Sequence, residues 1–234
     1  MLLVGALGAL LFNVYGLPYV LTNPYFQNHQ FVKDFKQGKI FVTTTQQVHI
    51  QENTAIENAI ERVKPLVATI QSASLGVRSG FVATSDGIII TLASAVPAGG
   101  NGKVFLQGEA LPFTIVKIDQ KNNLAAIKIE KNNLQTMAFA SAEKIKPGQR
   151  VFLTAPTSVA QDIWVANEGM IRQITKDSVL GSLQEIKTTI SEKLMVNGSP
   201  LFNTAGEVVG LNVIDAEGKV AAIPINKIQE LLGF

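Results

Sequence analysis

Residues 79–96 read SGFVATSDGIIITLASAV, in which two apolar runs flank the turn signal Ser85-Asp86-Gly87. β-Branched and aromatic residues favour strands, and Asp-Gly between two such runs is a strong signal for a tight hairpin. This stretch therefore predicts a β-hairpin whose second strand leads to Ser94. The same pattern continues on both sides of it and favours an all-β domain.

Short β-rich runs separated by turns fill residues 66–224. Further hairpin signals stand at residues 203–206 and 216–218, and no long helical pattern interrupts the runs, so a barrel or sandwich is indicated. The segment KIKPGQ (144–149) is the predicted boundary between two barrels, about 66–143 and about 148–224. The predicted strands are 66–70, 79–84, 87–93, 103–107, 111–118, 124–129, 150–154, 163–174, 183–189, 200–203, 207–214 and 219–224.

Short helices are predicted on either side of the barrels. Thr54-Ala-Ile-Glu57 has the form of a capping box, apolar residues follow at helical spacing, and Pro65 closes the helix. A second helix is predicted over residues 225–233, directly after Pro224.

The N-terminal stretch 2–22 contains no charged residue. At about 1.5 Å per residue a helix of this length covers roughly 30 Å, the thickness of a bilayer core. We expect a transmembrane anchor at 1–22, with a cleaved signal peptide or a buried soluble helix as alternatives. Residues 23–52 are expected to form a polar stalk, extended at 39–50.

Composition excludes several kinds of chemistry. The chain has 234 residues, a net charge of +2, no Cys, and only two His, His29 and His49. No basic patch suggests a nucleic-acid partner, and no residue spacing suggests a metal or cofactor site, so none is expected. No residue after His49 offers an imidazole as a general base.

Three segments resemble the catalytic segments of trypsin-like serine proteases of the HtrA/Deg type. They are the hairpin ending in Thr91–Val96, the stretch Asp119–Ala125, and the stretch Met195–Leu201 followed by a hairpin. The resemblance covers about residues 53–234. It implies a double β-barrel of two packed six-stranded barrels, on the extracytoplasmic side of the membrane. The PDZ domain that many relatives carry is not expected before the chain ends at Phe234.

The positions that carry the family's catalytic His, Asp and Ser fall on Ser94, Asn123 and Asn197. The Gly of its oxyanion turn falls on Met195, whose side chain disfavours a positive φ. An amide cannot act as the nucleophile, and no base or carboxylate remains to activate one. No catalytic residue is therefore expected in this chain.

These substitutions predict an inactive homologue at the cell envelope that binds unfolded peptides or envelope proteins, by adding an extended segment to a strand edge. One alternative is an active endopeptidase with an altered mechanism, which uses Ser199, or Ser191 with Lys193. Another is a purely structural envelope protein. A third is an unrelated barrel in which the three polar residues are ordinary turn residues.

Overall fold

The structure is a computed structural model that describes residues 11–27, 32–33, 45–100, 102–159, 163–193 and 196–233, with only the backbone of residues 13 and 45–53. The chain divides into two compact units, residues 1–49 and 50–234.

The first unit contains a π-helical turn, Phe12–Gly16, followed by helix α1, Leu17–Thr22. The hydroxyl of Thr22 donates a hydrogen bond to the Pro18 carbonyl, 2.8 Å away, in the last turn of α1. In the part of the chain that the structure describes, no helix has the length and apolar character needed to cross a bilayer. Residues 2–10 of the predicted anchor lie outside the described residues.

Helix α2 spans Thr45–Val63, so two predictions for this region are wrong. Thr54 lies inside the helix and does not cap its start, and residues 45–50 are helical, not an extended end of the stalk. Gln and Glu favour helix and no Gly or Pro interrupts residues 45–63, so the helix extends through the expected boundary. The helix ends as predicted before Pro65, which lies in a 3₁₀ turn, Lys64–Leu66.

The first barrel is closed by six antiparallel strands in the order β1-β2-β3-β6-β5-β4. The predicted hairpin forms from β2 and β3, with Phe81 paired to Ile90. The strands are β1 (Val67–Ser72), β2 (Gly76–Val82), β3 (Ile88–Leu92), β4 (Lys103–Leu106), β5 (Glu109–Asp119) and β6 (Leu124–Ile129).

The second barrel has the same form, with the order β10-β11-β12-β9-β8-β7. The predicted boundary segment, 144–149, lies between the last strand of the first barrel and β7, with a 3₁₀ turn, Ala142–Lys144, at its start. The strands are β7 (Arg150–Pro156), β8 (Trp164–Lys176), β9 (Leu183–Ser191), β10 (Pro200–Asn203), β11 (Val208–Ile214) and β12 (Lys219–Pro224). Helix α3, Ile225–Leu232, confirms the predicted C-terminal helix.

One apolar core joins the second barrel to one side of the first. Phe81 and Leu124 of the first barrel lie in the same buried cluster as Phe152 and Phe202 of the second. The rings of Phe152 and Phe202 stack with centroids 5.1 Å apart. Ile56, Ala59 and Val63 of α2 and Ile225, Ile228 and Leu231 of α3 complete this cluster. Burial of this surface holds the two barrels together and fixes the loops that meet at their junction.

Candidate functional site

Ser94 lies in a 3₁₀ turn, Ala93–Ala95, that directly follows β3. Its side chain is exposed, while both neighbours are buried. The backbone carbonyl of Asn123 accepts a hydrogen bond from Ala93 N (3.0 Å), and its side-chain Oδ1 accepts one from Ser94 N (2.9 Å). Asn123 therefore stabilises the turn that carries Ser94 through two hydrogen bonds.

The turn that carries Asn123 is itself fixed by local hydrogen bonds. Asn123 has φ of 53°, in the left-handed region that Asn adopts more readily than most residues. Asp119 accepts hydrogen bonds from Asn122 through its backbone N–H (3.1 Å) and its side-chain amide (2.5 Å). The amide of Asn122 is the main cause of a pKa of Asp119 below its ordinary value, so this carboxylate stays charged near neutral pH.

Asn197 lies in the turn before β10 and is half-buried. Its backbone carbonyl accepts a hydrogen bond from Ser79 N of β2, at 3.0 Å. Its side-chain Oδ1 accepts a hydrogen bond from Ile214 N at the end of β11, at 3.1 Å. One residue is thus bonded to both barrels.

Gly198 allows this turn to approach the first barrel closely. Its φ is +83°, and a Cβ at this position would lie 2.4 Å from the carbonyl oxygen of Ser79. That oxygen already accepts a hydrogen bond from the Thr91 hydroxyl, at 2.7 Å. No side chain fits there, which explains the Gly that follows Asn197 in the sequence.

Ser199 is fully buried, and its hydroxyl accepts a hydrogen bond from the side-chain amide of Asn212, 3.0 Å away. Asn212 therefore helps to shape the site, although the sequence alone did not identify it. Its signal was a single Asn within the otherwise apolar strand VVGLNVI (208–214), because a buried amide in such a strand requires hydrogen-bond partners.

The structure brings Ser94 and Asn123 into direct contact. The side-chain hydrogen bond of Asn197 goes to Ile214 instead, while the following Gly198 lies against Ser79 and Thr91. Met195, the predicted oxyanion-turn position, lies outside the described residues.

A groove of about 620 Å³ opens on the outer face of the second barrel. Val213 and Asp215 line it, on either side of the Ile214 that is bonded to Asn197. The groove is therefore lined by the two chain neighbours of a residue that is bonded to Asn197, while Asn197 itself does not line it. Over the described ranges, no group of three or more His, Cys, Asp or Glu side chains is placed to hold a metal ion.

The two closed, six-stranded antiparallel barrels with a shared core define the fold of trypsin-like proteases. The sequence profile of the trypsin-like peptidase domain family matches residues 78–211, more than half of the chain. The chain belongs to this family, and its relatives are of the HtrA type.

Among those relatives, serine protease HTRA1A of Danio rerio is 28% identical over 179 residues, which cover 74% of this chain and 37% of the relative. Human serine protease HTRA3 is 28% identical over 201 residues, or 76% of this chain and 44% of the relative. A DegP-like periplasmic serine endoprotease of Halomonas elongata is 30% identical over 153 residues, 59% of this chain and 29% of the relative. The chain thus spans less than half the length of these relatives.

The crystal structure of Deg5 superimposes with a TM-score of 0.66 and 22% sequence identity, over 76% of this chain and 92% of that one. At this level of identity the likeness establishes the fold alone. It agrees with the double barrel expected from the sequence.

Proposed function

We propose that this chain is a catalytically inactive homologue of an HtrA-type serine endopeptidase, and that it binds extended peptide segments. The proposal depends on one observation above all. Asn197 stands at the position of the family's nucleophile, and its amide oxygen is bonded to Ile214 N.

Serine-protease chemistry needs a hydroxyl, a base that takes its proton, and a carboxylate that orients the base. Ser94 replaces the base, and a hydroxyl does not accept protons near neutral pH. Asn123 replaces the carboxylate, and it retains the task of holding the turn at Ser94 without supplying a negative charge. The nitrogen lone pair of the Asn197 amide is delocalised, so it does not attack a peptide carbonyl.

The residue at position 195 indicates that oxyanion stabilisation is lost as well. Met195 stands where the family has a Gly, and a Met side chain disfavours the positive φ that such turns use. Each lost oxyanion donor costs about 10²–10³ in rate in well-studied enzymes. The combined variant Ser94→His, Asn123→Asp and Asn197→Ser is therefore expected to recover little hydrolysis until Met195→Gly is added.

Inactivity is tested by incubating the purified chain with unfolded protein and with a fluorophosphonate probe, beside an active HtrA-type protease. We expect neither hydrolysis nor labelling. Labelling that maps to Ser191 would support an endopeptidase with an altered mechanism, because Ser191 is exposed at the end of β9. Ser199 is a poor candidate nucleophile, because its side chain is fully buried and bonded to Asn212.

Peptide binding is supported by the groove on the second barrel, whose volume is in the range of clefts that bind ligands. Because the barrel is closed, the groove has no free strand edge, and a peptide would bind there through side-chain contacts. Fluorescence anisotropy with labelled, unstructured peptides tests it. Saturable binding is expected. If none of a varied set of peptides binds, a purely structural role at the cell envelope would be favoured.

We further propose that residues 2–22 anchor the chain in a membrane and that the barrels lie on the extracytoplasmic side. The uncharged run supports the anchor, and the periplasmic location of the Halomonas elongata relative supports the envelope. Cell fractionation with intact-mass measurement tests the anchor. A mature chain that begins near residue 23 and leaves the membrane fraction would contradict it.

A further inference from the structure

The groove on the second barrel carries a positive charge pattern that the peptide-binding proposal does not use. Its walls come from β8, β9, β11 and β12, whose outward side chains face solvent on the curved surface of the second barrel. Three cations line it, Arg172, Lys187 and Lys219, against two acids, Glu185 and Asp215.

Strand register places two of these cations on adjacent strands, one position out of register with each other. Arg172 is the extra residue of a bulge in β8, between Ile171, which pairs with Thr188, and Gln173, which pairs with Lys187. Bulges redirect side chains, and like charges on neighbouring strands repel each other. An anion placed between Arg172 and Lys187 relieves this repulsion.

Arg172 is exposed and takes part in no ion pair within the described ranges. Its planar guanidinium therefore retains the donor pair that binds a carboxylate in bidentate fashion. The other two cations are only weakly engaged. Lys187 lies 3.5 Å from Glu185, and Lys219 lies 3.1 Å from Glu217, and both pairs are exposed. Exposed pairs of this kind contribute little to stability and can exchange partners.

Of the two acids of the groove, Asp215 offers less competing repulsion. Asp215 Oδ1 accepts hydrogen bonds from the backbone N–H groups of Glu217 (3.0 Å) and Lys219 (2.8 Å), which partly offset its charge. Glu185 pairs with Lys187 and therefore shares that cation with an incoming carboxylate, which leaves Arg172 as the main anchor.

The floor of the groove has room and further donors for a short acidic side chain. Ala221 pairs with Lys187 across β12 and β9, so a small side chain lies beside the cation. Ser191 pairs with Lys219 and is exposed. Thr189 also lines the groove, and its Oγ1 accepts a hydrogen bond from Met170 N (2.9 Å) and can still donate its own proton.

We propose that this groove selects extended peptides that carry a carboxylate side chain, Asp or Glu, which binds Arg172 together with Lys187. The inference rests on the proposed peptide-binding function and names the class of ligand for that site. It assigns Arg172 as the residue that determines the preference.

Fluorescence anisotropy on the full chain tests the proposal. The probes are three fluorescein-labelled ten-residue peptides of alternating Ser and Val, identical except for Glu, Gln or Lys at one central position. A charge-assisted hydrogen bond to a carboxylate is expected to make the Glu peptide bind about tenfold more tightly than the Gln peptide, and the Lys peptide most weakly. Raising the salt concentration should reduce the difference in affinity between the Glu and Gln peptides. Free glutamate is then added as a competitor. Full displacement of the peptide would indicate a site for a small anion, and incomplete displacement would indicate a peptide site.

Two variants sharpen the test. Arg172→Gln is expected to bring the Glu peptide to the affinity of the Gln peptide and to leave the Gln peptide unchanged. Lys176→Gln is the matched control, because it removes an exposed cation from the same strand outside the groove. Circular dichroism confirms that both variants are folded.

The outcomes separate the two proposals. Equal binding of all three peptides by the wild-type chain would overturn the acidic preference and leave peptide binding intact. If no peptide binds, the proposed function fails as well. A Glu preference that survives Arg172→Gln, or that Lys176→Gln abolishes equally, would overturn the role of Arg172. Full displacement by free glutamate would overturn the peptide as the ligand.

Discussion

Replacing Asn197 by Ala removes the amide oxygen that accepts a hydrogen bond from Ile214 N. Ile214 is only 4% exposed, so water replaces the lost acceptor poorly. A buried donor left without a partner costs about 1–3 kcal/mol, and because Asn197 itself is half-buried we expect about 1–2 kcal/mol. With a urea dependence of about 2–3 kcal/mol per M for a domain of this size, the unfolding midpoint falls by about 0.5 M.

Amide hydrogen exchange locates the effect. The exchange rate of the Ile214 amide should rise by a factor of about 5–30, which corresponds to 1–2 kcal/mol. The exchange rate of the Ser79 amide should rise less, because this amide donates to the backbone carbonyl of residue 197, which the substitution leaves in place.

Two further variants complete this experiment. Asn197→Asp retains an acceptor at the same distance from the backbone and should keep most of the stability, whereas Asn132→Ala removes an exposed Asn and should have almost no effect. If Asn197→Ala matches Asn132→Ala in midpoint and leaves Ile214 protected, then the hydrogen bond does not stabilise the turn and the reasoning is refuted.

Three other predictions concern the fold. The hydrogen bond from Lys128 is the main cause of the pKa of about 2 for Asp86, which is below the ordinary value. The interaction therefore stabilises the folded state above about pH 4, and this stabilisation is lost as the pH falls through about 2. Urea midpoints between pH 5 and pH 2 should therefore decline less for Asp86→Asn than for the wild type, and parallel curves would contradict this. Gly198→Ala should cost about 2 kcal/mol or more, because it adds a Cβ in the left-handed region against the Ser79 carbonyl; an unchanged midpoint would show that the turn can move. Phe202→Ala should cost about 3–5 kcal/mol in the same assay, because Phe202 is fully buried; a loss below about 1 kcal/mol would mean that the barrel core closes over the cavity.

The strands were predictable because their signals are local. The hairpin at 79–92 has its turn residues and its apolar runs within a few positions of each other, and all twelve predicted strands are present. The start of α2 was not predictable from its capping signal. The run 45–53 lacks apolar spacing, and its residues are helical although a capping box begins at Thr54.

For the site, the sequence placed Ser94, Asn123 and Asn197 in three separate loops and identified their side chains as unsuited to acyl transfer. It did not indicate that Asn123 would hold the Ser94 turn through two hydrogen bonds, because these bonds join residues 29 or 30 positions apart. Asn212 was missed for the same reason, since its partner Ser199 lies 13 positions away, directly before β10.

The sequence by itself determined the all-β class, the two-barrel division and the residue types at the three loops, because turn chemistry, strand alternation and side-chain chemistry are properties of short segments. Only the tertiary structure decided what those residues touch. Asn197 is bonded to Ser79 of one barrel and Ile214 of the other, and the groove cations Arg172, Lys187 and Lys219 come from three different strands. Barrel closure and strand register bring such residues together, and both depend on pairing between segments that are distant in the chain.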